Sequence, residues 1–228
     1  VFDALREFHP VQFQHQAVTT VVKLDVFVIP ASRRVVHYLA DTKIVGEKII
    51  EFTLKNSKTS NSCILRYFNP IGAHESGEIG ELAQGIPNNL VPYITQTARG
   101  IRNELTVFGN DYNTKDGTCI RDYIHVVDLA KAHVKALNWL ENEKHGIVDA
   151  FNIGTGMGNS VLDIINTFQE VNDLKINYSI GEKRKGDVEQ IYADPNKAKE
   201  ILKWNAQYNL GDALKHAWKW EQNLESIS

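Results

Sequence analysis

The 228-residue chain has the composition of an ordinary globular protein, with 43% hydrophobic and 23% charged residues. Its 25 basic and 28 acidic residues leave a formal net charge of −3, which removes the electrostatic argument for a nucleic-acid partner. No apolar run reaches the roughly 18 residues of a membrane span, so the sequence favours neither nucleic acid nor membrane as a partner.

Short strand-like runs alternate with longer helical patterns, which predicts an α/β fold. The segment from Val18 to Ile29 is rich in Val and Thr and fits one or two strands, and Ile44 to Leu54 fits a helix. Four further strands are predicted at Ser62–Phe68, Leu105–Phe108, Ala150–Ile153 and Lys175–Ile180.

Five more helices are predicted from apolar stripes and capping signals. Two stripes come first, formed by Leu90, Val91, Ile94, Ala98 and Ile101, and by Leu129, Ala130, Val134, Leu137 and Leu140. Two helices follow start signals, namely Ser160 with Asp163 ahead of Ile164, Ile165 and Phe168, and Asp194-Pro195 ahead of Ala198, Ile201 and Leu202. The last carries Leu210, Leu214, Ala217, Trp218 and Leu224.

A glycine-rich segment, Gly154 to Asn159, lies between a predicted strand and a predicted helix. That context suits a dinucleotide-binding loop, but the third glycine is Gly158, one residue too early for the fingerprint. We therefore interpret the segment as a tight turn. No other segment of the sequence offers a glycine fingerprint.

Two arginines could hold a diphosphate, because a guanidinium binds phosphate through two parallel hydrogen bonds. Arg121 precedes a predicted helix, and Arg184 lies in a basic loop that also contains Asp187, a possible acceptor for ribose hydroxyls. The alternatives are a solvated turn around Arg184 and a surface pair formed by Arg121 and Asp122.

The remaining polar candidates give weaker signals. Asn69 and Asn89 could orient sugar hydroxyls or simply form turns and caps. His125 and His133 have no third ligand at metal spacing, so we expect a loop residue, a helix-face residue and no metal site. Cys63 and Cys119 are too far apart for a metal motif and favour a reducing, cytoplasmic location.

Several strings together resemble the UDP-glucose 4-epimerases of the extended short-chain dehydrogenase/reductase superfamily. The resemblance runs from about Thr42 to Leu224. It is carried by the segments Leu65–His74, Gly85–Tyr93, Val107–Tyr112, Arg121–Val126, Phe151–Gly156, Asn159–Leu162 and Gly186–Asp187.

The resemblance implies a fold and an activity. The fold would be the remnant of a Rossmann-type parallel sheet, in residues 1–68, plus a smaller α/β substrate-binding domain. The latter would lie mainly in residues 69–228, with some segments returning to the sheet. The family interconverts UDP-glucose and UDP-galactose through a 4-keto intermediate with bound NAD, and its members are often homodimers.

The resemblance also implies site residues. Diphosphate would be bound by Arg121 and Arg184, and ribose by Asp187. Uracil would lie against Thr106, Val107 and Phe108. The sugar and diphosphate path would be lined by Asn69, Asn89 and Leu90. The nicotinamide would lie near Tyr67 and Phe68. Ile191 takes the place of a gate residue and implies weak acceptance of N-acetylated sugars at most.

The sequence departs from the family in the cofactor half. Lys43 matches the lysine of the family's Tyr-x-x-x-Lys pair, but position 39 is Leu39, and Tyr38 is one residue early. We therefore expect an incomplete N-terminal half, NAD binding impaired by the missing fingerprint, exposed sheet edges and no epimerase activity from this chain alone. The alternatives are a non-catalytic UDP-sugar-binding remnant and a related NAD-dependent nucleotide-sugar dehydratase or decarboxylase.

Overall fold

A computed structural model describes residues 18–22, 25–28, 36–55, 57–83 and 85–224. The strands are β1 Val18–Val22, β2 Asp25–Val28, β3 Ser62–Tyr67, β4 Asn69–Ile71, β5 Leu105–Phe108, β6 Ile120–His125, β7 Val148–Ile153, β8 Gly158–Ser160, β9 Tyr178–Gly181 and β10 Gln190–Ile191. The helices are α1 Val36–Leu54, α2 Leu90–Ala98, α3 Val126–Asn142, α4 Val161–Asn172, α5 Asn196–Ile201 and α6 Leu210–Asn223.

The largest sheet has the strand order β2-β1-β3-β7. Its β3 and β7 run parallel, as expected for a Rossmann-type remnant, whereas β1 pairs antiparallel with both β2 and β3. The prediction of exposed sheet edges is wrong for β3, because β1 occupies that edge along its length, from Val18 opposite Arg66 to Val22 opposite Ser62. Val18–Val22 and Asp25–Val28 are thus two antiparallel strands, as the Val- and Thr-rich sequence allowed.

The side chains of β3 alternate between two layers. Cys63, Leu65 and Tyr67 are buried in a core with α3, α5 and β7. Arg66 lies on the opposite face, where its Nε donates a 2.8 Å hydrogen bond to Glu47 of α1. Helices therefore cover both faces of this strand, as in α/β proteins generally.

A second core supports the other strands. It contains residues of α2, α4 and α6, of which Ile94, Ile164, Ile165, Phe168 and Leu214 are fully buried. In the sheet nearby, β6 pairs in parallel with β4 and β10 and antiparallel with β8. A separate two-stranded sheet consists of β5 and β9, which run parallel.

The predicted apolar stripe of α3 is partly wrong. The buried face carries Leu129, Ala132, Ala136 and Leu140, whereas Val134 is 56% and Leu137 is 43% exposed. The two small alanines let the helix approach β3 closely, so the bulkier residues are turned outward. Ile101 lies beyond the end of α2 and Ile201 at the end of α5, and both are exposed.

The start signals are largely confirmed. Ser160 Oγ accepts from the Asp163 amide at 3.0 Å, and the Asp163 carboxylate accepts from the Ser160 amide at 2.8 Å. Asn209 forms a second capping box at the start of α6. Helix α5 begins at Asn196 rather than at proline, because Pro195 takes the cap position. Among the described helices, none is long and apolar enough to cross a bilayer.

Candidate functional site

Arg121 lies at the centre of the candidate site. It is the second residue of β6, where it pairs with Ile191 of β10 on one side and with Asn159 of β8 on the other. Its guanidinium donates to the Ile120 carbonyl at 2.8 Å and lies 3.7 Å from a carboxylate oxygen of Asp187. Strand pairing therefore holds the backbone of Arg121, and local bonds orient the side chain.

Arg184 and Phe108 complete this group. Phe108 ends β5 and is 38% exposed, and the guanidinium carbon of Arg184 lies 3.9 Å from the centre of its ring. The Asp187 amide donates to the Arg184 carbonyl at 3.2 Å. The structure thus brings together Arg121, Arg184, Asp187 and Phe108, which we call the anchor cluster.

The other two residues of β5 that were expected beside uracil face in opposite directions. Val107 is buried in the second core, while Thr106 points outward, with its methyl group close to Gly181 of β9. A contact from Val107 to a ligand would come from its main chain, because its side chain packs against the helices.

Asp122 is not part of a surface pair, and that alternative is wrong. Its side chain is fully buried and accepts hydrogen bonds from the Thr155 amide at 2.9 Å, the Thr155 hydroxyl at 2.6 Å, the Gly156 amide at 3.0 Å and the Ala193 amide at 3.1 Å. One carboxylate therefore links β6 to the loop after β7 and to the segment after β10. It also fixes the strand position of its neighbour Arg121.

The interpretation of the glycine-rich segment as a turn is confirmed only in part: residues 154–157 bend the chain after β7, whereas Gly158 and Asn159 belong to β8. Two of its backbone amides, from Thr155 and Gly156, already donate to Asp122 rather than facing an anion site. A Cβ on Gly154 would come within 2.5 Å of the Asp122 carboxylate and 2.6 Å of the Ala193 methyl, so the closeness of this packing requires glycine. Two amides of the segment are therefore occupied by the Asp122 carboxylate.

The asparagines and Leu90 lie on neighbouring elements. Asn69 begins β4 opposite Tyr123 of β6, two residues from Arg121. Asn89 is the cap residue of α2 and donates from Nδ2 to Glu81 at 2.9 Å, and Leu90 packs against the second core. Burial raises the pKa of the Glu81 carboxyl, and the bond from Asn89 opposes that shift.

The cofactor candidates lie around α1 and β3. Helix α1 is a continuous α-helix through both Tyr38 and Lys43. Because each residue turns the helix by about 100°, the five steps between them place the Cα atoms of Tyr38 and Lys43 about 140° apart around the helix axis. Burial lowers the pKa of Lys43 to about 8. Tyr67 points into the first core, 6.5 Å from the His133 ring, and the Phe68 amide donates to the Ile153 carbonyl.

His125 is not a loop residue, contrary to expectation. It ends β6, is 2% exposed and caps α3, because its Nδ1 accepts from the Val127 amide at 3.0 Å. Its ring stacks on Tyr208 and its Nε2 lies 3.0 Å from His216 Nδ1. Burial, followed by the neighbouring His216, lowers the pKa of His125 to about 4. His133 is a helix-face residue, as expected, with Nδ1 2.8 Å from the Leu129 carbonyl.

Comparison with known proteins identifies the family. Residues 39–217 match the family model described as GDP-mannose 4,6 dehydratase. The chain belongs to this family. Its similar curated relatives include UDP-glucose 4-epimerases. Over 180 residues the chain is 51% identical to the enzyme of Dictyostelium discoideum, and over 181 residues it is 49% identical to that of Pasteurella multocida. Each alignment covers 79% of this chain but only 52% and 53% of the relative, respectively. The chain thus spans about half the length of these relatives.

Solved structures of UDP-glucose 4-epimerases are also similar to this family member. A UDP-glucose 4-epimerase from Stenotrophomonas maltophila, with bound NAD and formylated UDP-arabinopyranose, matches with a TM-score of 0.80 and 39% identity. That match covers 87% of this chain and 58% of the other. The epimerase from Bifidobacterium longum, in complex with NAD⁺ and UDP, matches with a TM-score of 0.77 and 38% identity, over 86% and 57% of the two chains.

Some residues that shape the site of this family member were missed at the sequence level. Glu81 lies in an irregular segment, and His216 is one of many polar positions on the outer half of α6. Their hydrogen-bond partners in the fold reveal them: Asn89, eight residues from Glu81, and His125, 91 residues from His216. The buried role of Asp122 was also missed, because its polar neighbours Arg121 and His125 hide the strand β6 in which it lies.

Proposed function

We propose that this chain carries the UDP-sugar-binding part of a UDP-glucose 4-epimerase, which interconverts UDP-glucose and UDP-galactose. The observation that carries the proposal is the anchor cluster. Two guanidinium groups, one carboxylate and one aromatic face converge there from β5, β6 and the loop after β9. The similarity to curated epimerases supports the identity of the ligand.

The chemistry of the cluster suits a nucleoside diphosphate. Arg121 and Arg184 would bind the diphosphate through charge-assisted hydrogen bonds, and Asp187 would accept hydrogen bonds from ribose hydroxyls. The base would pack against Phe108 and Thr106. Asn69, Asn89 and Leu90 would line the path to the sugar, and Ile191, next to Arg121, would restrict N-acetylated sugars.

NAD is the cofactor in the related structures, but the described part of this chain does not supply a complete site for it. Lys43, Phe68 and the main chain of Tyr67 could lie beside a nicotinamide. A pyrophosphate needs free backbone amides at a helix start, and the amides of Thr155 and Gly156 are already bound to Asp122. We therefore derive no hydride-transfer step for this chain.

The catalytic pair is equally incomplete. Lys43 lies in a partly buried position that lowers its pKa to about 8, which suits a residue that assists proton transfer. Tyr38 lies about 140° away around α1, so the two do not share a helix face. This spacing favours a second candidate function, in which the chain binds UDP-sugars without turning them over.

The proposal predicts that Arg121→Met weakens the binding of UDP-glucose at least about tenfold, because one of two diphosphate-binding cations is lost. Isothermal titration calorimetry on the purified chain measures this directly. Arg102→Met is the matched control, since Arg102 stacks on Tyr93 outside the anchor cluster. Equal affinities for the wild type and Arg121→Met would contradict the proposed site.

UDP-N-acetylglucosamine should bind more weakly than UDP-glucose in the same assay, because Ile191 would restrict N-acetylated sugars.

We also propose that the chain forms a homodimer through α1. Its outer face carries Ile44, Val45, Ile49 and Phe52, each more than half exposed, which is unusual for one helix of a monomer. Phe52→Glu is expected to shift the chain to monomers in sedimentation-velocity experiments. Val134→Glu, the same change on the exposed side of α3, should leave the assembly intact. A wild-type monomer at micromolar concentration would refute this interface.

The buried state of both thiols supports the proposed cytoplasmic location. Cys63 and Cys119 are free and buried, and burial raises the pKa of the Cys63 thiol to about 12. A thiol of this kind is unreactive and suits a reducing compartment.

A further inference from the structure

The loop that follows β9 carries two of the three charged residues of the anchor cluster. Residues 182–187, which include Arg184 and Asp187, are all solvent-exposed. An exposed loop loses conformational freedom when its side chains bind a ligand, and that loss weakens binding. A contact that holds the loop in its binding arrangement before the ligand arrives therefore strengthens the affinity.

Lys183 makes such contacts from within the loop. Its ammonium nitrogen donates to the Asp111 carbonyl at 3.0 Å and lies 3.0 Å from the Asp111 carboxylate. The same nitrogen lies 4.4 Å from the centre of the Tyr112 ring. One cation thus meets a carbonyl, a carboxylate and an aromatic face, all in the turn that follows β5.

Gly109 makes room for this packing. It has a φ of +81°, and its amide donates to the Gly181 carbonyl at 2.9 Å, which joins the ends of β5 and β9. A Cβ at this position would come within 2.6 Å of the Tyr112 ring and 2.7 Å of the Lys183 side chain. Lys183 and Tyr112 therefore pack directly against bare backbone, just beyond Phe108.

We propose that Lys183 is a positioning residue that holds the 182–187 loop against the turn after β5, so that Arg184 and Asp187 are preorganised for the nucleotide. We call Lys183, Asp111 and Tyr112 the clasp. The inference rests on the proposed function, because it assumes that the anchor cluster binds UDP. Lys183 acts through its neighbours: its ammonium is bound to Asp111 and does not need to touch the ligand.

The first test is the affinity of the purified chain for UDP, measured by isothermal titration calorimetry. Lys183→Met should weaken binding about five- to tenfold, since it removes the contacts that restrain the loop. Lys183→Arg keeps the cation and should restore affinity to within about twofold. Lys185→Met removes the same charge from the same loop but none of the clasp contacts, and it should change affinity by less than about twofold.

Asp111→Ala separates the clasp from simple electrostatics. The change removes a negative charge near a site for an anion, so long-range attraction alone predicts tighter binding of UDP. The clasp predicts the opposite, a loss of affinity, because Lys183 loses its carboxylate partner. Tighter binding by Asp111→Ala, or an unchanged affinity of Lys183→Met, would overturn the inference.

A readout without ligand distinguishes failure of this inference from failure of the proposed function. The Asp187 amide is hydrogen-bonded to Arg184 within the loop, so its hydrogen exchange reports loop order. Exchange should accelerate in Lys183→Met and Asp111→Ala but not in Lys185→Met. If UDP fails to bind the wild type while this pattern holds, the clasp stands and the proposed ligand is wrong. Identical exchange in all four proteins would refute the clasp.

Discussion

Asp122→Ala is expected to lower the free energy of unfolding by about 3 to 5 kcal/mol, which for a chain of this size is a large share of its stability. The change removes the shared acceptor of three amides: that of Ala193, which is buried, and those of Thr155 and Gly156, which are partly buried. Urea denaturation followed by circular dichroism measures the effect. Since alanine gains no hydrophobic packing at this position, we expect nothing to offset the lost stability.

Two further variants test the reason for this loss. Asp122→Asn keeps the shape but turns an amide NH₂ toward groups that are themselves donors, so it should still cost about 2 kcal/mol or more. Asp173→Asn makes the same chemical change at an exposed position with a φ of 50°, a conformation that asparagine tolerates, and should change stability by less than about 0.5 kcal/mol. A loss below about 1 kcal/mol for Asp122→Ala would show that the carboxylate does not connect these segments.

Acidification from pH 6.5 to pH 4.5 is expected to destabilise the fold by about 2 to 3 kcal/mol through His125. The pKa of His125 is lowered to about 4 in the folded chain, first by burial and then by His216. Its reference pKa is about 6.5, so the unfolded chain binds the proton first as the pH falls. The stabilising effect is therefore complete above pH 6.5 and is lost progressively toward pH 4.

The hydrogen bonds of His125 also favour the neutral ring and therefore a lowered pKa. His125 Nδ1 accepts from the Val127 amide, so a neutral ring must carry its proton on Nε2, which faces His216 Nδ1. A doubly protonated His125 would lose the cap of α3. Among the charged groups around the ring, Asp128 and Asp212 favour the proton and Lys131 disfavours it, yet burial dominates.

His125→Asn provides the matched test of the pH effect. Asparagine is a good cap residue and keeps an acceptor for the Val127 amide, but it does not titrate in this range. The variant should be less stable at pH 7 and show a flatter loss of stability between pH 6.5 and 4.5. His145→Asn, at an exposed position, should retain the wild-type profile. A wild-type profile in His125→Asn would assign the acid sensitivity to other groups.

The elements that follow from local rules were predictable from the sequence. β3 and β5 are bounded by turn residues, and the Ser160–Asp163 capping box starts α4 where its pattern requires. By contrast, β6 was missed, because Arg121, Asp122 and His125 give it the polarity of a loop. These polar groups are tolerated in or beside the core only because distant segments supply their partners.

Local sequence patterns could not predict which residues of the site contact one another. The residues of the anchor cluster were named from motifs, yet their meeting depends on the parallel pairing of β5 with β9 and of β6 with β10. The contacts of Lys183 with Asp111 join positions 72 residues apart. No periodicity in either segment indicates such a contact. In the part of the chain that the structure describes, the short strands β4, β8 and β10 each pair with β6 alone.

Titration of the purified chain with UDP and, in parallel, with uridine tests the nucleotide site without any substitution. If Arg121 and Arg184 bind the diphosphate, UDP should bind at least about a hundredfold more tightly than uridine, and raising the salt concentration should weaken only UDP. Equal affinities for the two ligands, or no binding of UDP at millimolar concentration, would contradict the assignment of the anchor cluster as a nucleotide site.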